Sequence, residues 1–457
     1  MIQPTRVQPL NDRPEQKGRY VLYWMQQAQR VDDNHALTFA ARRANELALP
    51  LVVFFGLTDR YPGANLRHYA FMLEGLAETR ERLAAMGARF TLRAVAPEEG
   101  VVALGREAAL AVVDAGYLRH QRQWRAEAAR RLACPLIRVE SDVIVPLAVV
   151  SDKAEYAART IRPKIYRHLD DYLRPLRPTT LKHRAPSLEL PGEELAGTPE
   201  RILNRMAIDR SVPPAPLLRG GATRAQALLR EFIERKLDRY ASDRNDPTLD
   251  ALSSMSPYLH FGQISPLTVA LAVRASGSPG AATYLEEMIV RRELAMNYAY
   301  HQPDYDRFAG LPAWAQKTLA EHADDRREHL YTQAQWEAAQ THDPYWNAAQ
   351  REMTLTGKMH GYMRMYWGKK LLEWSRSPAE AFDLAVALND KYELDGRDAN
   401  GYTGVAWCFG LHDRPWARRP VLGTVRYMNA AGLKRKFDAD AYVAAVDRLA
   451  NSELERP

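Results

Sequence analysis

The chain has 457 residues, 46% of them hydrophobic and 26% charged, with a formal net charge of +7 and a pI near 9.2. That length exceeds what one hydrophobic core of ordinary size organises, so at least two domains are expected. With two cysteines, Cys134 and Cys408, and no membrane-length apolar run, the sequence excludes a disulfide framework, a Cys-rich metal site and a membrane-spanning helix; "MIQPTRVQPLNDRPEQ" lacks the apolar stretch of a signal peptide, and a reducing cytoplasm is expected.

The first 150 residues alternate strand-like and helix-like patterns. "RYVLYW" predicts a strand, "DNHALTFAARRANELA" a helix starting near Asp33 or Asn34, and "LPLVVFFGL" a buried strand. "NLRHYAFMLEGLAETRERLAAMG" predicts a helix that stops at Gly87. "RFTLRAV", "LAVVDAG" and "LIRVESDVIVP" predict three more strands, with helices between them. This alternation implies a doubly wound parallel sheet with right-handed crossovers. Neither G-x-G-x-x-G nor a Walker loop is present, which removes the usual dinucleotide and NTP fingerprints.

Eight prolines between Pro175 and Pro216, closed by "RGG", break the pattern and predict a connector. Beyond it the patterns are helical, including "TRAQALLREFIERKLDRYA", "TYLEEMIVRRELAMNYAY" and "EHLYTQAQWEAAQ". The expected organisation is an α/β domain over 1–174, a linker over 175–221 and an all-α domain over 222–457.

Three segments of the second half carry candidate chemistry. In "LDALSSMSPYLHFG" the hydroxyl of Ser256 and the following Pro257 predict a helix start, with Ser253 and Ser254 just ahead. Hydroxyls and free N–H groups at such an end suit a phosphate, although on composition alone simple capping is the stronger reading. Residues 412–437 hold Arg414, Arg418, Arg419, Arg426, Lys434, Arg435 and Lys436 against Asp413, with Trp416, Tyr427 and Phe437 interleaved, a mixture suited to phosphates and unstacked bases. In "MHGYMRMYWGKKLLEW", Trp367 and Trp374 share a helix face about 10.5 Å apart along the axis. Trp346 lies near in sequence, and core packing is the ordinary reason for such spacing.

"SxxSPYLHFG", "YLEEMIVRREL", "DPYWNAAQREM", "GKMHGYMRMYWGKKLLEW", "LNDKYELDGRDANGYTGVAW" and "RPVLGTVRYMNAAGLKRKFD" occur in the order found in the DNA photolyase–cryptochrome superfamily. The "YMRMYWGKKLLEW" and "LDGRDxxGY" forms resemble class II cyclobutane pyrimidine dimer photolyases. The resemblance covers residues 20–445 and implies a photolyase-like fold: an α/β antenna-type domain followed by a helical domain that binds FAD, active in its reduced anionic form. It implies light-driven repair of pyrimidine dimers in double-stranded DNA, by a cytoplasmic monomer. An antenna chromophore such as a deazaflavin is a further expectation, with no residues assigned.

Carried onto this sequence, the resemblance places Tyr240, Ser253, Ser254 and Ser256 at the flavin pyrophosphate and pairs Arg364 with Asp395 beside the isoalloxazine. Asp398 belongs near the ring edge and Asn389 opposite its N5. Glu287 is implied to hydrogen-bond the damaged pyrimidines, its alternative being an i, i+4 pair with Arg291. Trp407 and Met365 are implied to line the lesion pocket, and Arg244, Arg414 and Arg426 to contact DNA. Trp367, Trp346 and Trp374 are implied to pass an electron between flavin and surface. The alternatives are a cryptochrome-type flavin light sensor without repair, a flavoprotein of electron transfer, and a (6-4) photolyase.

Overall fold

A computed structural model describes residues 2–454. Six strands, β1 (Val7–Pro9), β2 (Tyr20–Trp24), β3 (Leu51–Leu57), β4 (Arg89–Ala94), β5 (Ala108–Asp114) and β6 (Leu136–Val139), form one sheet in the order β1-β6-β5-β2-β3-β4. β2 to β6 run parallel, and β1 joins β6 antiparallel through Val7 opposite Val139. β2, β3 and β5 are buried on both faces, which is why they read as unbroken apolar runs. Asn34 caps the His35–Glu46 helix by accepting from the Leu37 N–H at 2.9 Å, and Gly87, at φ +94°, ends the Leu66–Met86 helix.

Two features depart from the sequence expectation. β1 is an additional edge strand, three residues long and ending in a proline, a residue that edges tolerate. The strand expected over 136–146 stops at Val139, because the buried Arg6 guanidinium takes the carbonyls of Glu140, Val143 and Ile144 and turns the chain.

The proline-rich segment holds one six-residue helix, Pro199–Asn204, and lies along the sheet half, burying Leu181, Leu195, Ile202 and Leu203 against it. From Ala222 onward the chain is helical. Ile144, Val150, Ile161, Ile165 and Tyr172 pack in one cluster with Ala225, Leu229, Phe232 and Tyr284, so the Ala158–Tyr172 helix is seated on the helical half. The helix expected over 328–340 shrinks to Gln333–Glu337: Thr332 caps it, Ala339 leaves it at φ +55°, and Trp336 anchors it in the core at 1% exposure. A π-helical turn, Glu286–Arg291, joins the Ala281–Leu285 and Arg292–His301 helices. Such turns gather at functional sites.

Candidate functional site

The chain segment before the Ser256–His260 helix, the π turn and the loop after the Pro378–Tyr392 helix enclose a cavity of ≈ 240 Å³ lined by Ser253, Ser256, His260, Glu287, Asp395 and Asp398, among others. Ser253 Oγ accepts from the Tyr284 hydroxyl at 3.0 Å, and Tyr284 packs against Phe232 and Tyr240. Burial pushes the Tyr240 phenol up to about 12, so it stays a neutral donor. Ser254 sits at φ +56°, a strained conformation for a residue with a Cβ, costing on the order of 1–3 kcal/mol. Ser256 departs from the capping expectation. It is the first helical residue, no side chain caps this helix, and its hydroxyl helps instead to hold the Asp395 carboxyl down.

Arg364 also departs from expectation. Its carboxylate partner within 4.0 Å, among the described residues, is Glu393, at 3.0 Å, rather than Asp395. The helix ends at Tyr392 and the chain then turns, which brings Glu393 rather than Asp395 onto the guanidinium. Burial, aided by the neighbouring Asp395, pushes the Glu393 carboxyl well above the usual range against the pull of Arg364. Asp395 is held below its usual range despite burial, by Arg364, Lys358 and Ser256. Of the two carboxyls, Glu393 is the one pushed toward its neutral form and Asp395 the one held toward its charged form. The other nitrogen of Arg364, Nη1, donates to Asn389 Oδ1 at 3.1 Å, and Asn389 Nδ2 donates to Asp390 at 3.1 Å. Gly401 makes room for this amide, since a Cβ there would lie 3.0 Å from Asn389 Nδ2.

Asp398 caps the Ala399–Cys408 helix through Oδ1, which accepts from Asn400 N–H and Nδ2, both at 2.8 Å. Its other oxygen lies 3.2 Å from His260 Nδ1. Burial alone would raise this carboxyl, but His260 and Asn400 hold it down to about 2.

Glu287 lies on the π turn and accepts from Arg244 Nη1 at 2.8 Å. The i, i+4 pair with Arg291 does not form, because the wider turn breaks helical register; Arg291 sits 3.5 Å from Glu286 instead. The Arg291 guanidinium lies 5.7 Å from the Trp407 ring, and Trp407 and Met365 are half-buried. Arg414 and Arg426 are exposed, at 5.4 and 5.0 Å from the ring of Trp416, itself 42% exposed. Trp416 stood among the basic residues of the sequence without being singled out; its exposure between two cations marks it as part of this surface.

The tryptophans form a buried ladder. Trp367 and Trp346 stack at 6.3 Å and 8° between planes, and Trp346 Nε1 donates to the Trp367 carbonyl. Trp346 then meets Trp336 edge-on at 4.7 Å, and Trp336 stacks on Trp374 at 6.2 Å and 11°. The sequence reading missed Trp336 because it fell inside a segment read as one long helix. It links Trp346 to Trp374.

A second cavity, of ≈ 60 Å³, opens at the carboxyl ends of the strands, where the sheet switches direction on either side of β2. Its walls include Gln26, Gln27, Tyr61, Gln121, Trp124 and His260, the last shared with the first cavity. Asp114 fixes the loop after β2, accepting from the N–H groups of Gln26, Gln27 and Ala28 at 2.9–3.0 Å.

The DNA photolyase family model matches residues 21–183. A deoxyribodipyrimidine photo-lyase of Methanothermobacter thermautotrophicus is 51% identical over 98% of this chain and 99% of its own. One from the marsupial Potorous tridactylus is 41% identical over 93% and 80%. Among solved structures, a class III photolyase from Agrobacterium tumefaciens superposes with a TM-score of 0.74 at 19% identity, covering 94% of this chain and 87% of that one. A Synechocystis cryptochrome does so with a TM-score of 0.73 at 16% identity, covering 93% and 87%; at these identities both speak for the fold alone. Identity of this depth along nearly the whole chain means that the protein belongs to the DNA photolyase family.

Proposed function

We propose that the protein is a light-driven DNA lyase of the class II kind, which binds duplex DNA at a cyclobutane pyrimidine dimer, draws the dimer out of the stack and splits it. Reduced FAD, held by the residues of the helical cavity, would supply on illumination an electron that opens the cyclobutane ring and returns once the two bases have parted. The donor set suits that cofactor: serine hydroxyls and Arg292 for a diphosphate, and Asp395 Oδ1, buried without a donor partner, for a ligand hydroxyl or N–H. In this reading Tyr240, Ser253, Ser254 and Ser256 flank the diphosphate. Arg364, Asn389, Asp395 and Asp398 surround the ring system, where Asn389 Oδ1 retains a lone pair beyond the one given to Arg364.

The chain's own groups then have distinct tasks. Arg244 holds Glu287 by one oxygen, leaving Oε2 to meet the polar edge of the dimer. Trp407, backed by Arg291, and Met365 offer an apolar seat for bases taken out of the duplex. Arg414, Trp416 and Arg426 occupy the gap left in the stack and contact its phosphates. Buried indoles from Trp367 to Trp374 give an electron supplied by an external one-electron reductant a dry route inward.

One observation carries this reading. The ladder starts on the helix that also presents Arg364, three residues before Trp367, so the electron route and the charged cluster converge at one place. The test is a duplex with one thymine dimer and 2-aminopurine opposite the lesion. Binding is expected to prefer this duplex over its intact counterpart and to raise the fluorescence as the dimer leaves the stack. Equal affinity for both, with no fluorescence change, would overturn the reading.

The walls of the second cavity suit a planar antenna chromophore such as a deazaflavin, which would have to part them, since the space between them is ≈ 60 Å³. Tyr61, His120 and Trp124 pack edge to face beside it, and Gln26, Gln27 and Gln121 offer amides. Its expected signature is an absorbance band beyond that of the flavin, lost when Tyr61 and Trp124 are both replaced by alanine.

A further inference from the structure

The segment from Ser151 to Tyr172 lies outside the motifs that resemble the family, yet it touches two parts of the proposed DNA surface. Tyr156 donates its hydroxyl to the Asp413 carbonyl at 3.2 Å, and its own carbonyl meets His412 Nδ1 at 2.8 Å. Asp413 in turn accepts from Trp416 Nε1 at 3.2 Å, so Tyr156 abuts the loop that carries Arg414, Trp416 and Arg426. Arg162 forks onto Glu286, next to Glu287, with bonds of 2.7 and 3.0 Å.

Between these anchors the segment presents an unpartnered basic face. The Ala158–Tyr172 helix buries Ala158, Ile161, Ile165 and Tyr172, which leaves Arg159, Pro163, Tyr166 and Arg167 on the opposite side at i, i+4, i+7 and i+8. Lys153, Arg159 and Arg167 are exposed, and none has a carboxylate within 4.0 Å among the described residues, whereas Arg162 and Lys164 are paired. Asp152 and Asp170 are the exposed acids of this face, Asp170 at i+11 from Arg159, so three cations face two carboxylates. Tyr156 and Tyr166 stand out at 50% and 49% exposure. The face is also held rigid: Asn297, wholly buried, accepts from the Glu155 N–H at 2.7 Å and donates to the Lys153 carbonyl at 2.9 Å.

We propose that this face, through Lys153, Arg159 and Arg167 with Tyr156 and Tyr166 between them, is a second phosphate-binding surface that holds the duplex flanking the dimer. Arg159 and Arg167 are about 12 Å apart along the helix, the axial span of three or four phosphates of one strand at about 3.4 Å each. Charge complementarity and continuity with the Arg414–Arg426 loop select DNA as the occupant, and the proposal rests on the repair reading above for that partner. Such contacts add affinity without sequence choice and set the angle at which the duplex crosses the cavity mouth.

The salt dependence of binding tests it. Each phosphate contact contributes about 0.9 to the slope of log affinity against log salt. A K153Q/R159Q/R167Q triple variant, measured with dimer-containing and intact duplexes, is expected to lose about two to three units of slope on both, while the ratio between the two affinities stays as in the unmodified protein. Replacing Arg13, Arg106 and Arg130 of the sheet half by glutamine removes the same charge and is expected to leave the slope in place. A loss of less than about one unit, or an equal loss in the sheet-half control, overturns the proposal; an acidic protein as the true occupant gives the first of these results. Absence of any preference for damaged duplex in the unmodified protein is a different failure, that of the repair reading itself.

Discussion

The two cavities share His260 as a wall and differ in everything else. On the sheet side the lining is mostly aromatic and amide, with one buried cation, Arg397, and burial pushes Tyr61 and His68 toward their neutral forms. On the helical side the lining is charged, and burial is overridden by specific partners: His260 and Asn400 keep Asp398 ionised, and Arg364 with Lys358 does the same for Asp395. A pocket walled mainly by rings and amides positions a flat ligand by stacking, whereas one walled by carboxylates and their cations orders phosphates, fixes protons and tunes electron transfer. Under the proposed function, the difference suits light capture on one side and reaction on the other.

Four substitutions on the helical side sharpen this contrast. The largest effect is expected from Trp367→Phe, which removes the inner rung of the ladder. The rate at which light and an external thiol return oxidised protein to its repair-competent form falls by about a hundredfold or more, followed by absorbance, while chemically reduced protein still repairs. Glu287→Ala removes the hydrogen bond proposed to the dimer and leaves Arg244 unpaired, and is expected to lower the initial rate of dimer loss about 10- to 100-fold, the range of one charge-assisted bond. Asp398 titrates at about 2 rather than 3.8, so its ionisation stabilises the fold fully above pH 4 and progressively less as the pH falls toward 2. Asp398→Asn is expected to flatten that acid limb, a change on the order of 2 kcal/mol in urea unfolding at neutral pH. Trp336→Phe keeps an aromatic ring there, with a small cavity beside it, and weakens one link of the ladder, so the return to the repair-competent form slows by about three- to tenfold. A Trp336→Phe rate equal to that of the unmodified protein would mean that Trp346 and Trp374 exchange electrons without it.

The sheet half was legible because its signals are local. "LVVFFGL" is a buried strand wherever a parallel sheet surrounds it, and Asn34 and Gly87 mark helix ends by their own chemistry. β1 was not, since three residues ending in proline carry no period and pair only because Arg6 folds the chain after Val139 back.

In the helical half the motifs named the neighbourhood, but spacing misassigned two partners. Glu393 and Asp395 are two residues apart, and only the turn after Tyr392 decides which of them faces Arg364. Glu287 would pair with Arg291 on an α-helix; the π turn, invisible as a residue pattern, gives it to Arg244. Trp336 and His260 became functional candidates only when tertiary contacts set them between other site residues. His260 stood in a quoted motif, but nothing in that motif shows that one imidazole separates two cavities.

The most direct test of the account is the loss of thymine dimers from an oligonucleotide incubated with FAD-loaded, chemically reduced protein, in blue light and in the dark. The account predicts restoration of the two thymines in the light and none in the dark, with Glu287→Ala slow and Trp367→Phe near the unmodified rate. Flavin-bound protein that binds DNA yet leaves the dimer intact under illumination would contradict it.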